Sequence, residues 1–244
     1  MIPHIIHYFW FGGAEKPKVV LDCIESWKRY FPGWEIKEWN EENYNINKCQ
    51  YMIDAYQLKK YAFVSDYARF DVLNEYGGIY LDVDVEFIKP LPSSFLEQEC
   101  FAGFEGAGEV NPGLIFASEP HYWFTKKILD TYNNDRFFFN KDGIYRTVNT
   151  RTSEILNEYG LIKNNQYQVV KGIHIYPSEY FCGYDTDIRE SVITEKTICW
   201  HHYLGSWNQK NIKTKLQDFL KHVIGKRNYK KLVLMRRKLR NGSN

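Results

Sequence analysis

The segment SDYARFDVLNEYGGIYLDVDVEFIKP, residues 65–90, constrains this chain more than any other. Ala68, Val72 and Leu73 fall at helical spacing after Ser65, whose hydroxyl suits an N-cap, and Gly77 supplies a stop. Directly after the glycine pair, Ile79, Leu81, Val83 and Val85 alternate with Tyr80, Asp82, Asp84 and Glu86. Period-two alternation predicts a strand, and it puts the three acids on one side of that strand. Like charges so close repel unless solvent or a cation intervenes. A hard divalent ion held by carboxylate oxygens and water would resolve the conflict. A calcium-binding EF-hand loop does not fit: its sixth position needs glycine, and counted from Asp82 that position is Phe87. The simpler alternative is an edge strand with one solvated polar face. On the helix, Asp66 and Arg69 lie one turn apart, where they either form a surface salt bridge or share a pocket with the acids.

Around this block the pattern alternates strand and helix. HIIHYFWFG is a buried strand run closed by Gly12 and Gly13. Pro17 opens a helix with Val20, Ile24, Trp27 and Phe31 at three- and four-residue steps, and WEIKEW follows the Pro32–Gly33 turn as a second strand. Such a beginning predicts an α/β layer architecture with a parallel sheet. Further on, CFAGFE, GLIFAS, IHIYPSEYF and TICWHHYLGSW read as strands, and EPHYWFTKKILDTYNN and TSEILNEYG as helices.

Charge divides the chain. Residues 208–244 hold twelve Lys or Arg against one acid, Asp218, a net +11 that leaves −9 for the remainder of a chain whose total is +2. Two domains of behaviour are therefore expected, a folded unit over residues 1–208 and a basic amphipathic helical tail over 209–244. In the tail, Leu216, Phe219, Leu220, Val223 and Ile224 form one apolar stripe, and Tyr229, Leu232, Val233, Met235 and Leu239 a second. The second runs among six cations, which predicts docking on an anionic membrane surface. Nucleic acid is not expected as a partner, because the rest of the chain is acidic. Five scattered cysteines without a CxxC pair point to a reducing cytosol rather than a disulfide framework. MIPHIIHYFWFGG reads as a first strand and not as a signal peptide, and no apolar run is long enough to span a membrane.

The block SDYARFDVLNEYGGIYLDVDVE resembles the signature of glycosyltransferase family 32, whose members include capsular-polysaccharide and yeast mannosyl transferases. It is similar also to the glucosyltransferase domains of large clostridial toxins. IIHYFWFGG is similar to the first strand of those enzymes, where a tryptophan, here Trp10, stacks on the donor base. HHYLGSW resembles their closing motif, which would bring His202 to a metal and Trp207 over the diphosphate. The resemblance implies a single GT-A type, Rossmann-like domain that takes a nucleotide-sugar at the carboxyl ends of its strands. It implies Asp84 as the main metal ligand, Asp82 on the ribose, the sugar hydroxyls or a metal-bound water, and Asp66 and Arg69 on the donor sugar. His202 favours Mn²⁺ over Mg²⁺. Glu86 is either solvated or a further contact; Asn111 to Gly113 and Asn149–Thr150 either line the sugar sites or only shape the chain.

The expected reaction is metal-dependent hexosyl transfer with retention, without a covalent intermediate because no enzymic nucleophile stands out. UDP-hexose is the favoured donor, with GDP-mannose as alternative, and a glycan or lipid-linked oligosaccharide of a surface or capsular polysaccharide is the expected acceptor. The expected place is the cytoplasm, peripheral on the inner membrane leaflet. A toxin-like effector that glycosylates a host protein, a sugar- or nucleotide-binding module and a nucleotidyltransferase are the competing readings. A glycosidase would need flanking carboxylates but no metal set and no base-stacking tryptophan.

Overall fold

The computed structural model describes residues 1–106, 108–138, 146–185 and 190–204, together with 224–225, 228–229, 231–233 and 235. Trp207 and most of the basic tail lie outside the described residues. The first half runs β1 (Ile5–Phe9), α1 (Lys18–Tyr30), β2 (Glu35–Trp39), α2 (Gln50–Gln57), α3 (Tyr61–Tyr76), β3 (Gly78–Tyr80) and β4 (Val85–Phe87). It continues through α4 (Ser93–Leu96), β5 (Cys100–Glu105), β6 (Glu109–Val110), β7 (Phe116–Ser118), α5 (Trp123–Asp130) and α6 (Val148–Glu158). The last described elements are β8 (Gln168–Val170), β9 (Ile173–Tyr176), α7 (Ser178–Phe181), β10 (Tyr184–Asp185), β11 (Glu190–Ser191) and β12 (Cys199–His201).

The main sheet has the order β2-β1-β3-β7-β5-β9-β8, with β6 paired to β5. β2, β1 and β3 are parallel, as the opening strand–helix–strand pattern predicts. Beyond β3 the sheet turns mixed, since β7 runs antiparallel to both β3 and β5 while β9 is parallel to β5. Side chains alternate between two cores on opposite faces, as a pleated strand requires. Phe9, Tyr80, Ala102, Phe104 and Phe116 pack with the buried faces of α2, α3, α5 and α6. Ile6, Tyr8, Ile79, Phe101 and Ala117 pack with Val20, Ile24 and Trp27 of α1 and with Val85 and Phe87 of β4. The result is a three-layer α/β unit.

Two local expectations are corrected. Ser65 is no N-cap: α3 starts four residues earlier at Tyr61, and the Ser65 hydroxyl donates back to the Ala62 carbonyl. α3 is buried along most of its length, so packing rather than a capping hydroxyl sets its start. The acidic strand is broken as well. Val85 N–H donates to the Asp82 carbonyl at 3.1 Å, closing a turn between β3 and β4. β4 leaves the main sheet and pairs with β12 instead, in the register Val85↔His201. Asp82 and Asp84 therefore sit at a chain reversal, not on one side of a continuous strand.

The reversal is anchored at both ends. Before it, Gly77 and Gly78 adopt φ of 64° and 100°, and a Cβ on Gly78 would lie 2.6 Å from the Ile5 carbonyl oxygen, so α3 can turn into β3 only through glycine here. After it, α1 grips β4: Trp27 Nε1–H donates to the Val85 carbonyl at 2.7 Å, and the Ser26 hydroxyl accepts from Phe87 N–H at 2.9 Å.

Candidate functional site

β1, β2 and β3 end on the same side of the sheet, and the residues that follow them are Trp10, Asn40 and the 82–84 turn. In parallel α/β sheets this carboxyl edge is where ligands bind. Tyr80, the last residue of β3, is buried on the α3 face, and its hydroxyl donates to Asp82 Oδ1 at 2.7 Å. Gly113 fits beneath Asp82. Its carbonyl accepts the Asp82 N–H at 2.9 Å, and a Cβ placed on it would lie 2.1 Å from Asp82 Oδ2. The Asn111 side chain holds this turn by accepting the Gly113 N–H at 2.7 Å.

α3 presents Asp66 and Arg69 to the same place, both buried. Arg69 Nη2 donates to Asp66 Oδ1 at 2.8 Å, its Nη1 stands 3.5 Å from Asp82 Oδ1, and its guanidinium lies 4.5 Å from the Tyr80 ring centroid. The pair is thus an interior one aimed at Asp82 rather than a surface salt bridge. Burial pushes the Asp66 carboxyl up to about 7, opposed by Arg69 and reinforced by the charge of Asp82. Among the described residues the buried Arg69 Nη1 makes no hydrogen bond beyond its 3.5 Å approach to Asp82 Oδ1, so it remains a donor directed at the site.

The closing segment supplies the other half. His201 Nε2–H donates to Asp84 Oδ1 at 3.0 Å, and Leu204 N–H donates to Asp84 Oδ2 at 2.9 Å. Burial alone would lower the His201 pKa, but the charge and hydrogen bond of Asp84 outweigh it and the pKa is raised. Burial alone would raise that of Asp84, and His201 with the Leu204 amide brings it below the usual carboxylate range. Asp82, Asp84 and His201 each offer one ligand atom, and these atoms lie within 4.8 Å of one another. One cation of the hard-to-borderline kind fits that donor set of two carboxylates and an imidazole. The buried His201 Nδ1 has no hydrogen-bond partner among the described residues, so the same imidazole is incompletely satisfied there.

The histidine expected in this cluster was His202; the one that reaches it is His201. The reason is the β4–β12 register together with a backbone bond, His202 N–H to the Asp84 carbonyl at 2.9 Å, which turns the two imidazoles to opposite sides. His202 Nε2–H donates instead to Glu86 Oε2 at 2.8 Å. Both line a separate polar cavity of 290 Å³ against α1, with Asp22, Glu25 and Arg29. Glu86 therefore does not join Asp82 and Asp84. Trp10 follows β1 at the carboxyl edge, half-buried, with its indole N–H on the Ala14 carbonyl at 2.6 Å and the Lys16 ammonium 5.6 Å from its ring. Trp207 cannot be placed among these residues, since it lies outside the described chain.

Sequence reasoning passed over four participants: His201, the Tyr80 hydroxyl, Tyr203 and Glu105. Tyr203 packs against His201 with ring centroids 4.0 Å apart and planes tilted by 59°, and donates to Glu105 Oε1 at 2.6 Å. For Tyr80 a signal existed, because a phenol two residues before an acid on a strand shares its side. For Glu105, ending a strand one hundred residues from the closing motif, none did.

Residues 17–102 match the family described as the glycosyltransferase sugar-binding region containing DXD motif. An uncharacterized glycosyltransferase of Acanthamoeba polyphaga mimivirus is 34% identical over 91 residues, 35% of this chain and 36% of that protein. Inositol phosphoceramide mannosyltransferase 1 of Schizosaccharomyces pombe is 29% identical over 101 residues, 37% of this chain and 30% of that protein. The matches thus span about a third of each of these curated relatives. Among solved structures the chain is similar to the PaToxG glycosyltransferase, with a TM-score of 0.48 and 16% identity over 64% of this chain and 68% of that one. That likeness is too loose to add to the topology described above.

Proposed function

We propose that this chain, whose residues 17–102 match the DXD-containing glycosyltransferase sugar-binding region, is a metal-dependent retaining glycosyltransferase of the GT-A type, moving a hexose from a nucleotide-sugar to a glycan or lipid-linked acceptor. The observation that carries this reading is the convergence of Asp82, Asp84 and His201 beside the buried Asp66–Arg69 pair. Mn²⁺ or Mg²⁺ held there would neutralise charge on the departing nucleoside diphosphate. The remaining work falls to the chain's own groups. Asp84 and His201 would hold the cation directly, the imidazole in its neutral form, and Asp82, oriented by Tyr80 and Gly113, would add a carboxylate oxygen. Arg69 offers its Nη1–H to donor oxygens, while Asp66 accepts from sugar hydroxyls. Trp10 stacks under the base, and Trp207 would close over the diphosphate.

UDP-hexose is the favoured donor. GDP-mannose is the second reading, supported by a relative named a mannosyltransferase. A capsular or other surface polysaccharide is the proposed setting, on the inner leaflet of a membrane through the basic tail. No helix among the described residues is long and apolar enough to cross one, so a peripheral mode suits the reading. An effector acting on a host protein would use the same site.

Nucleotide release from a panel of UDP- and GDP-sugars, with Mn²⁺, Mg²⁺ or EDTA and without acceptor, tests the proposal. Slow release from one donor, lost in EDTA and in Asp84→Asn, is the expected result. Silence across the panel, with no thermal shift from any donor, would contradict it.

A further inference from the structure

Glu105 ends β5 on the edge that carries the site, and three segments converge on its carboxylate. Oε1 accepts from the Tyr203 hydroxyl at 2.6 Å, while Oε2 accepts from Asn149 Nδ2 at 2.6 Å and from Asn111 Nδ2 at 3.2 Å. Each donor belongs to a different part of the site. Asn111 holds the Gly113 turn beneath Asp82, Asn149 lies in the first turn of α6, and Tyr203 lies between His201 and Leu204, the two groups bound to Asp84. Among the described residues no cation pairs with Glu105, and the donors that hold its carboxylate there are neutral.

A second observation points to the same place. Tyr203 adopts φ of 52°, a left-handed backbone that side chains other than glycine, asparagine and aspartate seldom take. Such a conformation persists where its surroundings over-determine it. Here they do: the Tyr203 hydroxyl meets Glu105 and Cys182 Sγ, and its ring packs on His201 and Tyr184. That backbone twist is what aims the Leu204 N–H at Asp84 Oδ2.

We infer that Glu105 is a positioning residue: its carboxylate locks the closing segment that carries His201 to the turn beneath Asp82 and to the start of α6, fixing both halves of the cation site together. The inference deepens the function proposed above and rests on it for its catalytic meaning. The coupling itself does not, since it is a statement about this chain's geometry. A glutamine at this position weakens the set: with its amide oxygen on Asn111 and Asn149, its N–H₂ faces the Tyr203 hydroxyl, which must then accept rather than donate, and all three bonds lose their charge assistance.

The test uses the full chain with Glu105→Gln, Tyr203→Phe and the double variant, after far-UV circular dichroism has shown each to be folded. Amide hydrogen exchange is read at Leu204 and Gly113, and Mn²⁺ affinity is read in the presence of UDP. Each single variant is expected to speed exchange at Leu204 and to weaken Mn²⁺ binding by about tenfold, the low end for residues that orient metal ligands. Glu105→Gln should also speed exchange at Gly113. The double variant should be little worse than Glu105→Gln, because both changes break one link. Unchanged exchange at Leu204 and Gly113 in Glu105→Gln overturns the inference, as does a lowered melting temperature with Mn²⁺ affinity unaltered. Should wild type bind neither Mn²⁺ nor UDP, the proposed function fails, and the exchange measurement still decides the role of Glu105.

Discussion

At the scale of single residues, the site depends on what is missing as much as on what is present. Gly113 has no side chain where Asp82 Oδ2 sits, and a Cβ there would also lie 3.0 Å from Asn111 Oδ1. Its φ is not in the left-handed region, so alanine strains no backbone and the cost falls on the position of Asp82 first and of the Asn111 side chain second. Gly113→Ala is therefore expected to leave the fold intact and to weaken Mn²⁺ binding in the presence of UDP by about tenfold or more. Unchanged affinity would show that the Asp82 carboxylate is not held by that contact. The same contrast explains His201 and His202. They are adjacent and chemically identical, the closing motif points to His202, and the register of β12 against β4 with the His202 N–H on the Asp84 carbonyl assigns His201 to Asp84 and His202 to Glu86.

At the scale of elements, the junction of α3, β1 and β2 hangs on His7. Its Nε2–H donates to the Gly77 carbonyl at 2.8 Å, and its Nδ1 accepts from the Trp39 indole at 3.1 Å, so the imidazole must be neutral. Burial, opposed by the Gly77 bond and assisted by Lys37, lowers its pKa to about 4. An unfolded chain protonates this histidine near 6.5, before the folded one does. Its contribution, on the order of 3 kcal/mol, is thus complete above pH 6.5 and lost as pH falls toward 4. Urea midpoints measured from pH 7.5 to 4.5 should fall more steeply for wild type than for His7→Gln; parallel profiles would refute the account. Elements of this kind were legible where local pattern governs them. The alternation of β1, the spacing of α1 and the double glycine after α3 can each be read from neighbours in sequence. The break at Asp82 could not, because Asp82, Val83 and Asp84 keep perfect alternation while the chain turns. What breaks the strand is remote, the grip of Trp27 and Ser26 on β4 and the pairing of β4 with β12.

At the scale of the whole molecule, one sheet divides two cores, and the candidate site forms where the parallel half meets the closing segment. The alternation of strand and helix patterns announced a layered α/β unit, yet the β3–β7 and β5–β9 pairings and the bonds of Glu105 to Asn149 and Tyr203 join residues about forty to one hundred positions apart, which no local pattern encodes. The basic tail is a separate question of surface. Of its second stripe, Leu232 and Met235 are exposed while Tyr229 is buried. Removing residues 226–244 should abolish sedimentation with anionic vesicles and spare nucleotide release in solution; a chain that no longer folds would instead make the segment part of the core. The central claim, that Asp82, Asp84 and His201 form the cation site, is tested most directly by titrating Mn²⁺ in the presence of UDP into wild type, Asp84→Asn, His201→Ala and His202→Ala. The account predicts saturable binding in wild type, its loss in Asp84→Asn and His201→Ala, and its retention in His202→Ala. Loss in His202→Ala with retention in His201→Ala would contradict it.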